Sequence, residues 1–428
     1  MQKKLIALAV AAALPALFAT SSVWAADTIT EALTGGKANA DVNYRYEDVT
    51  TGAATANKGT AYTIRTRLGY TTDTFAGFGA MVEMESVKSL NRKLSKGYNS
   101  TTNGNTTRAA VFDPEGTEVN QAFLSYSGLA DTTVKWGRQR LILDNARFVG
   151  NVGWRQNEQT YDGLTVVTKA VPSTTITVGY ITNVNRIFGD ESKPPVNNNA
   201  GQAGNHKSKH VLLNANYAGL GFGTITGYYY KLDYDKNSGV TGNSSNTVGA
   251  RLNGSAPMGG NKLLYTAEYA SQKGANTNPV TYSAKYMFVE GGMDLTGIAT
   301  FKLGYEVLGG DTVNNRAFQT PLATLHAFNG WADKFATGTP NGSGLKDTYL
   351  SAGGKAGPVN LLGVYHTFKA DKANGGANNY GKELDLLAAY PIDKNYTVGL
   401  KYAKFTADAA IGAAQDAKKT WLWGNFKF

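Results

Sequence analysis

The sequence predicts an all-β fold, a transmembrane antiparallel β-barrel of about eighteen strands, and three observations carry that prediction. Strand-length stretches alternate polar and apolar residues. Long and short links between them alternate along the chain. After residue 25, no apolar run approaches the roughly 18 residues that a membrane helix needs.

The first residues have the form of a secretory signal peptide, spanning 1–25. Lys3 and Lys4 give a positive start, Leu5 to Phe18 an apolar stretch, and Val23-Trp24-Ala25 small-residue spacing for cleavage. Residues 26–428 then form the exported barrel, of which 26–36 is a short periplasmic lead-in. The chain has 50 Gly, 24 Tyr and 17 Phe but only 11 Pro, as expected of aromatic-rich strands joined by Gly and Asn turns. It has no cysteine, which excludes a disulfide framework and any Cys-based metal site or nucleophile. A closed barrel would supply stability instead, since it leaves no backbone edge unpaired.

Period-two stretches place the strands at 37–47, 60–72, 76–88, 117–127, 131–138, 160–170, 173–183, 208–218, 221–235, 245–255, 261–272, 279–290, 295–308, 346–356, 358–369, 380–390, 395–406 and 418–428. In the first, Ala38, Ala40, Val42, Tyr44 and Tyr46 share one face and Asn39, Asp41, Asn43, Arg45 and Glu47 the other. Tyr62, Ile64, Leu68 and Tyr70 alternate with Arg65 and Arg67, and Phe78, Ala80, Val82 and Met84 with Glu83 and Glu85. Later strands repeat the pattern, with Lys285, Lys302 and Lys401 on polar faces and Arg251 among them. Alternation alone fits a soluble sandwich as well as a barrel. The links decide for the barrel, because short periplasmic turns and long outer loops are its asymmetry. An even strand number puts both termini on the periplasmic side, and the alternation of Leu422, Phe426 and Phe428 resembles the C-terminal assembly signal of outer-membrane barrels.

Chemistry is sparse. His206 and His210 lie in HKSKH, where Lys207 and Lys209 oppose a cation site, and no Gly-x-Ser-x-Gly elbow accompanies His326 or His366. GLGFG from Gly219 to Gly223 precedes no helix and reads as a hairpin. No enzyme activity, metal or cofactor is expected. The net charge of +10, or +8 without Lys3 and Lys4, points to anionic solutes, polyanionic glycans or lipopolysaccharide rather than nucleic acid, unless the lysines merely decorate loops.

One segment breaks the alternation. In GRQRLILDNARFVGNVGWRQ (Gly137 to Gln156), leucines, Phe148 and Trp154 are too apolar for a solvated loop, so 139–159 is expected to fold into the lumen. Arg138, Arg140, Arg147 and Arg155 would then line a cationic constriction that favours anions, with Arg45, Arg65, Arg67, Arg251, Lys285, Lys302 and Lys401 extending the field. The competing reading pairs these cations with lumen carboxylates such as Glu83 and Glu85. In the long link 309–345, Leu322, Leu325, Phe328 and Ala332 have helical spacing, so a short helix is expected there, either plugging the pore or packed on the rim.

The block from Gly137 to Gly163, the start ADTITEALTGGKANADVNYRYEDV and the stretch FQTPLATLHAFNGWADKF (Phe318 to Phe335) resemble the alginate-export-like family of Gram-negative outer-membrane porins. The resemblance implies an eighteen-strand barrel in the cell outer membrane with an arginine-rich constriction. It carries Arg138, Arg140, Asp144, Arg147 and Arg155 over as constriction residues, with Asp144 orienting the arginines. The function expected is passive diffusion of small hydrophilic, preferentially anionic solutes. The alternatives are export of an anionic polysaccharide of alginate type, or a barrel adhesin or enzyme. The partners expected are membrane lipid and lipopolysaccharide, and a homo-oligomer stays open because lipid-facing and subunit-facing apolar residues look alike.

Overall fold

A computed structural model describes residues 26–52, 58–90, 108–190, 203–336, 338–339, 342–373, 378–408 and 415–428. The expected signal segment 1–25 lies outside the described residues. Thr28 opens a single helical turn, α1 (Ile29–Thr34), through a capping box in which its hydroxyl accepts from Glu31 N and Glu31 reaches back to the Thr28 amide.

The wall consists of β1 (Lys37–Thr51), β2 (Gly59–Thr71), β3 (Phe78–Ser89), β4 (Gly116–Leu129), β5 (Thr132–Gln139), β6 (Thr160–Thr168), β7 (Thr174–Asn185), β8 (Asn205–Leu220) and β9 (Gly223–Leu232). It continues with β10 (Ser245–Met258), β11 (Asn261–Gly274), β12 (Ser283–Leu295) and β13 (Ala299–Leu308). A two-residue ladder of β14 (Gly310–Asp311) and β15 (Arg316–Ala317) sits in the following link. The wall then resumes with β16 (Leu345–Ala356), β17 (Val359–Lys369), β18 (Asn379–Pro391), β19 (Tyr396–Ala407) and β20 (Ala417–Lys427). Excluding that ladder, these are eighteen strands in one sheet, each antiparallel to its sequence neighbour. β1 pairs with β20, Tyr44 opposite Gly424, and Ala40 and Phe428 exchange backbone hydrogen bonds at 3.1 and 2.9 Å, so the chain's end closes the barrel.

Alternation becomes a belt. Val82, Met84, Leu124, Leu164, Leu303 and Leu422 face outward and are exposed, which in water would be a large apolar patch and in a bilayer is the lipid face. Tyr70, Phe78, Tyr217, Phe222, Tyr390 and Tyr396 mark the short-turn rim, as interfacial aromatics do. One turn differs from its expected place. The expected strands 279–290 and 295–308 leave a link at 291–294, yet these residues lie inside β12. The reversal comes at 296–298, where Gly297 adopts φ +78°.

β5 and β6 are eight and nine residues long, against fourteen for β4 and sixteen for β8. The chain leaves the wall after Gln139 and returns at Thr160. Gly137, two residues before the exit, has φ +131°, and a Cβ there would fall on the carbonyl of Ala122 in β4. Gly137→Ala is therefore expected to cost about 1–3 kcal/mol. Urea unfolding of the refolded barrel, followed by its heat-modifiable gel mobility, reads this directly; an unchanged midpoint would refute the role.

Candidate functional site

The segment 140–159 and the link 309–344 meet inside the barrel. Val149 bridges Leu322 in parallel. Gly150 N donates to Leu322 O at 2.8 Å, Thr324 N to Ala146 O at 3.0 Å and Val152 N to Thr324 Oγ1 at 3.1 Å. Around this seam lies an apolar core: the Phe148 ring packs 5.2 Å from those of Tyr228 and Tyr286 and 5.8 Å from Phe318. Leu141, Leu143, Leu212 and Leu322 join the same cluster. The two loops thus solve together what neither does alone, the removal of their apolar side chains from water.

This packing inverts part of the expected pattern. Toward the outer end of β12 the aromatic face, Tyr282 and Tyr286, turns inward onto the loops, and Ser283 and Lys285 turn outward. Lys285 is thus not a lumen charge, because the wall beside it faces an apolar core instead of a water column.

The arginines separate into different roles. Arg147 is fully buried: its Nε donates to Glu306 Oε1 at 2.6 Å, its Nη2 to Asn329 Oδ1 at 3.0 Å, and Phe328 lies under the guanidinium at 4.8 Å. Arg155 donates to Glu47 at 2.9 Å and to Asp333 at 3.3 Å, with Asp113 at 3.7 Å. Arg140 binds both oxygens of Glu158 and approaches Glu83 at 3.4 Å, yet its side chain stays 33 % exposed. Arg138 is not in the constriction. It shares the outward side of β5 with Trp136, pairs with Asp162 at 2.9 Å and Asp190 at 3.1 Å, and donates to the carbonyl of Val119 where β4 has outrun β5. Its misplacement follows from parity: Gln139 is the inward residue at the strand end, so its neighbour points out. Asp144 likewise does not orient the arginines of its own segment. It accepts from Asn214 Nδ2 of β8 at 2.8 Å and so ties the loop to the wall.

The remaining lumen charges face inward, and all but Lys401 have an opposite charge within reach. Arg67 pairs with Glu85 and, at 3.5 Å, with Glu158. Arg65 pairs with Asp41 at 2.5 Å, Arg251 with Glu268 at 2.7 Å, and Lys302 with Glu290 at 3.0 Å. Glu83 accepts from Asn120 at 2.6 Å, and Arg45 lies 4.3 Å over the Trp154 ring with Asp113 at 3.6 Å. Lys401 sits 3.8 Å from the Trp331 ring and 4.1 Å from Trp154, its ammonium donating to His326 Nε2 at 2.8 Å. Burial and that ammonium hold the His326 imidazole neutral, well below its usual range, against the pull of Asp333. Asp113, Glu158, Asn329 and Asp333 are the partners that reading the arginines alone missed; no alternation pattern marks them, because all four lie in links.

Among the described residues of the link 309–344 no full helix forms. Leu325–Ala327 makes one 3-10 turn, and Asn329, Gly330 and Asp333 take positive φ. Carboxylates of β18 capture the amides a helix would use: Trp331 N donates to Asp385 at 3.1 Å and Ala332 N to Glu383 at 2.6 Å. The apolar spacing of Leu322, Leu325, Phe328 and Ala332 serves packing on two sides instead of one.

Arg147→Ala would leave Glu306 buried and unpaired, at an expected cost of about 3–5 kcal/mol. Arg138→Ala, on the outer side with partly exposed partners, should cost under about 1 kcal/mol; unfolding midpoints of the two variants measured side by side test the contrast. Burial raises the Glu158 carboxyl, but Arg67 and Arg140 outweigh burial and bring it down to about 2 from the ordinary 4.5. A depressed folded value means that its contribution is complete above pH 4.5 and fades as pH falls toward 2. The difference in stability between the native chain and Glu158→Gln should therefore be constant from pH 7 to about 5 and shrink below that. A difference that disappears already at pH 6 would contradict the pairing.

The family described as Alginate export matches residues 37–339. A sequence search of curated proteins finds none that matches. Among solved structures, Pseudomonas aeruginosa OpdK with vanillate is similar at TM-score 0.69 and 14% identity, over 92% of this chain and 99% of that one. Acinetobacter baumannii OccAB2 gives TM-score 0.69 and 14% identity, over 93% and 99%. Pseudomonas aeruginosa OccD3 (OpdP) gives 0.64 and 14%, over 96% and 95%. At such identity these likenesses show the fold, the closed eighteen-strand barrel of outer-membrane porins. With most of its length matched by one family and that barrel built from the same residues, the chain belongs to the alginate-export family of outer-membrane proteins.

Proposed function

We propose that this protein is a passive outer-membrane channel for small hydrophilic solutes, with a preference for anions. The observation that carries the reading is a barrel of eighteen strands whose lumen is crossed by two interlocked loops. A barrel that wide encloses more space than wall side chains fill, and loops held by ion pairs narrow it without a hinge. The anion preference rests on Arg140, a guanidinium at the narrowing that keeps a third of its side chain exposed, and on the chain's net positive charge. Arg147 and Arg155, being buried and paired, act on solutes through the position they give the loops. The OpdK structure holds vanillate, an aromatic carboxylate, so small carboxylates are the first solutes to try. Family membership favours a second reading, passage of an anionic polysaccharide outward. Membrane lipid, lipopolysaccharide and further copies of the chain are the partners this role entails; no catalytic step is part of it.

Planar bilayers test this. Purified protein should give stepwise conductance, and in a salt gradient Arg140→Ala should lower the chloride-over-potassium permeability ratio by roughly twofold or more, while Arg138→Ala leaves it unchanged. Absence of stepwise conductance would sink the channel reading, and an unaltered ratio in Arg140→Ala would sink the selectivity assignment. Block by oligouronates but not by neutral sugars would favour the exporter.

A further inference from the structure

The outward face of the wall changes character from one end to the other. Toward the short-turn rim it carries aromatics, and on the described strands an outward-facing lysine occurs only toward the long-link end. The densest group lies on four consecutive strands: Lys369 ends β17, Lys382 lies near the start of β18, Lys404 near the end of β19, and Lys418 near the start of β20. All four are exposed, and each adjoins a buried residue of the inward face, Phe368, Glu383, Phe405 and Ala417 in turn.

Register makes the group one patch. Lys404 and Lys418 stand directly opposite each other. Leu384 is the residue opposite Lys404, so Lys382 is the diagonal neighbour of Lys404. Thr367 is opposite Lys382, so Lys369 is in turn the diagonal neighbour of Lys382. Successive members are thus roughly 5–8 Å apart at Cβ. Lys346 of β16 faces Lys369 across the next ladder, but its ammonium has Asp371 at 3.2 Å. Among the described residues no carboxylate pairs with the other four, whereas Lys302 and Lys419 of the lumen have Glu290 and Asp333 at 3.0 and 2.7 Å.

Like charges on opposed strand positions are destabilising, and a row of four ammonium groups calls for a counter-charge. Within one or two outward positions of these lysines come Tyr365, Leu384, Leu400 and Leu422, all exposed on the lipid face. The ammonium groups therefore stand where acyl chains give way to headgroups. A ligand that fits has an apolar part below and several anionic oxygens above it.

We propose that Lys369, Lys382, Lys404 and Lys418 form a docking surface for the phosphorylated saccharide headgroup of lipopolysaccharide, whose acyl chains lie on the apolar residues beneath. Each phosphate supplies several acceptor oxygens together with the negative charge that the row lacks, and basic clusters beside a lipid face attract anionic headgroups. The one-sided placement of the lysines suits a bilayer with unlike leaflets, since in outer-membrane barrels the long links face outward, toward the leaflet that carries the glycolipid. The proposal rests on the reading of the chain as an outer-membrane channel and names the lipid held against its wall.

Native mass spectrometry of the full-length protein in detergent tests the surface, with bisphosphorylated lipid A, dephosphorylated lipid A and phosphatidylglycerol as separate probes. Bisphosphorylated lipid A should bind saturably and more tightly than the other two, and inorganic phosphate at matched ionic strength should not displace it. Replacing all four lysines, as Lys369→Gln, Lys382→Gln, Lys404→Gln and Lys418→Gln together, should weaken that binding about tenfold or more, while arginine at the same positions keeps it. Lys169→Gln with Lys394→Gln, in short turns, should leave it unchanged. Heat-modifiable gel mobility reports the fold; if the fourfold variant loses it, the pair Lys404→Gln and Lys418→Gln is read instead, with a loss of about threefold. No saturable binding by the native chain, equal binding of dephosphorylated lipid A or phosphatidylglycerol, displacement by inorganic phosphate, or native affinity in the glutamine variants would each overturn the proposal. Conductance is measured separately in phosphatidylcholine bilayers free of lipid A, so failure here and failure of the channel reading are distinguishable.

Discussion

Burial of charge in the middle of the barrel is the constraint on which the rest depends. Arg147, Arg155, Glu47, Glu158 and Glu306 are all shielded from water, and a charge in that position persists only when an opposite charge and hydrogen bonds meet it. Each loop therefore carries charges whose partners lie on the wall or on the other loop. Arg147 of the first loop needs Glu306 of β13 and Asn329 of the second; Arg155 needs Glu47 of β1 and Asp333. The mutual dependence explains why the loops stay in the lumen: moving either would strand ions on both sides of the seam.

The apolar seam and the ionic ties have a division of labour. Phe148, Leu322 and the aromatic inner face of β9 and β12 remove loop surface from water, a force without direction. The ion pairs and the carboxylates of β18 that hold the amides of Trp331 and Ala332 supply the direction, and so fix where backbone ends and aqueous space begins. A loop pair held this way is rigid by construction. Its electrostatic character then comes from the charges left incompletely covered, Arg140 above all, and much less from a total of arginines.

The wall was largely legible in the sequence because membrane strands obey a period of two with little interference. Tyr62 to Tyr70 and Phe78 to Met84 face lipid as their alternation requires, with Arg65, Arg67, Glu83 and Glu85 inside. Errors came where a second environment intruded. Lys285 lies outward because β12 meets an apolar core near its outer end, and Arg138 lies outward because one residue of parity decides a face at a strand terminus. The spacing from Leu322 to Ala332 suggested a helix because apolar spacing is blind to whether a carboxylate waits for the amides.

By itself, the sequence determined the barrel, its strand number and the inward course of 139–159, since each follows from local periodicity, from link length or from the conflict between apolar and charged residues in one segment. Which arginine meets which carboxylate was decided by tertiary structure alone. Arg155 and Glu47 are 108 residues apart, and Arg147 and Glu306 are 159 apart. Pairing in a closed barrel depends on shear and register around the whole ring, and no local pattern in the chain carries that information.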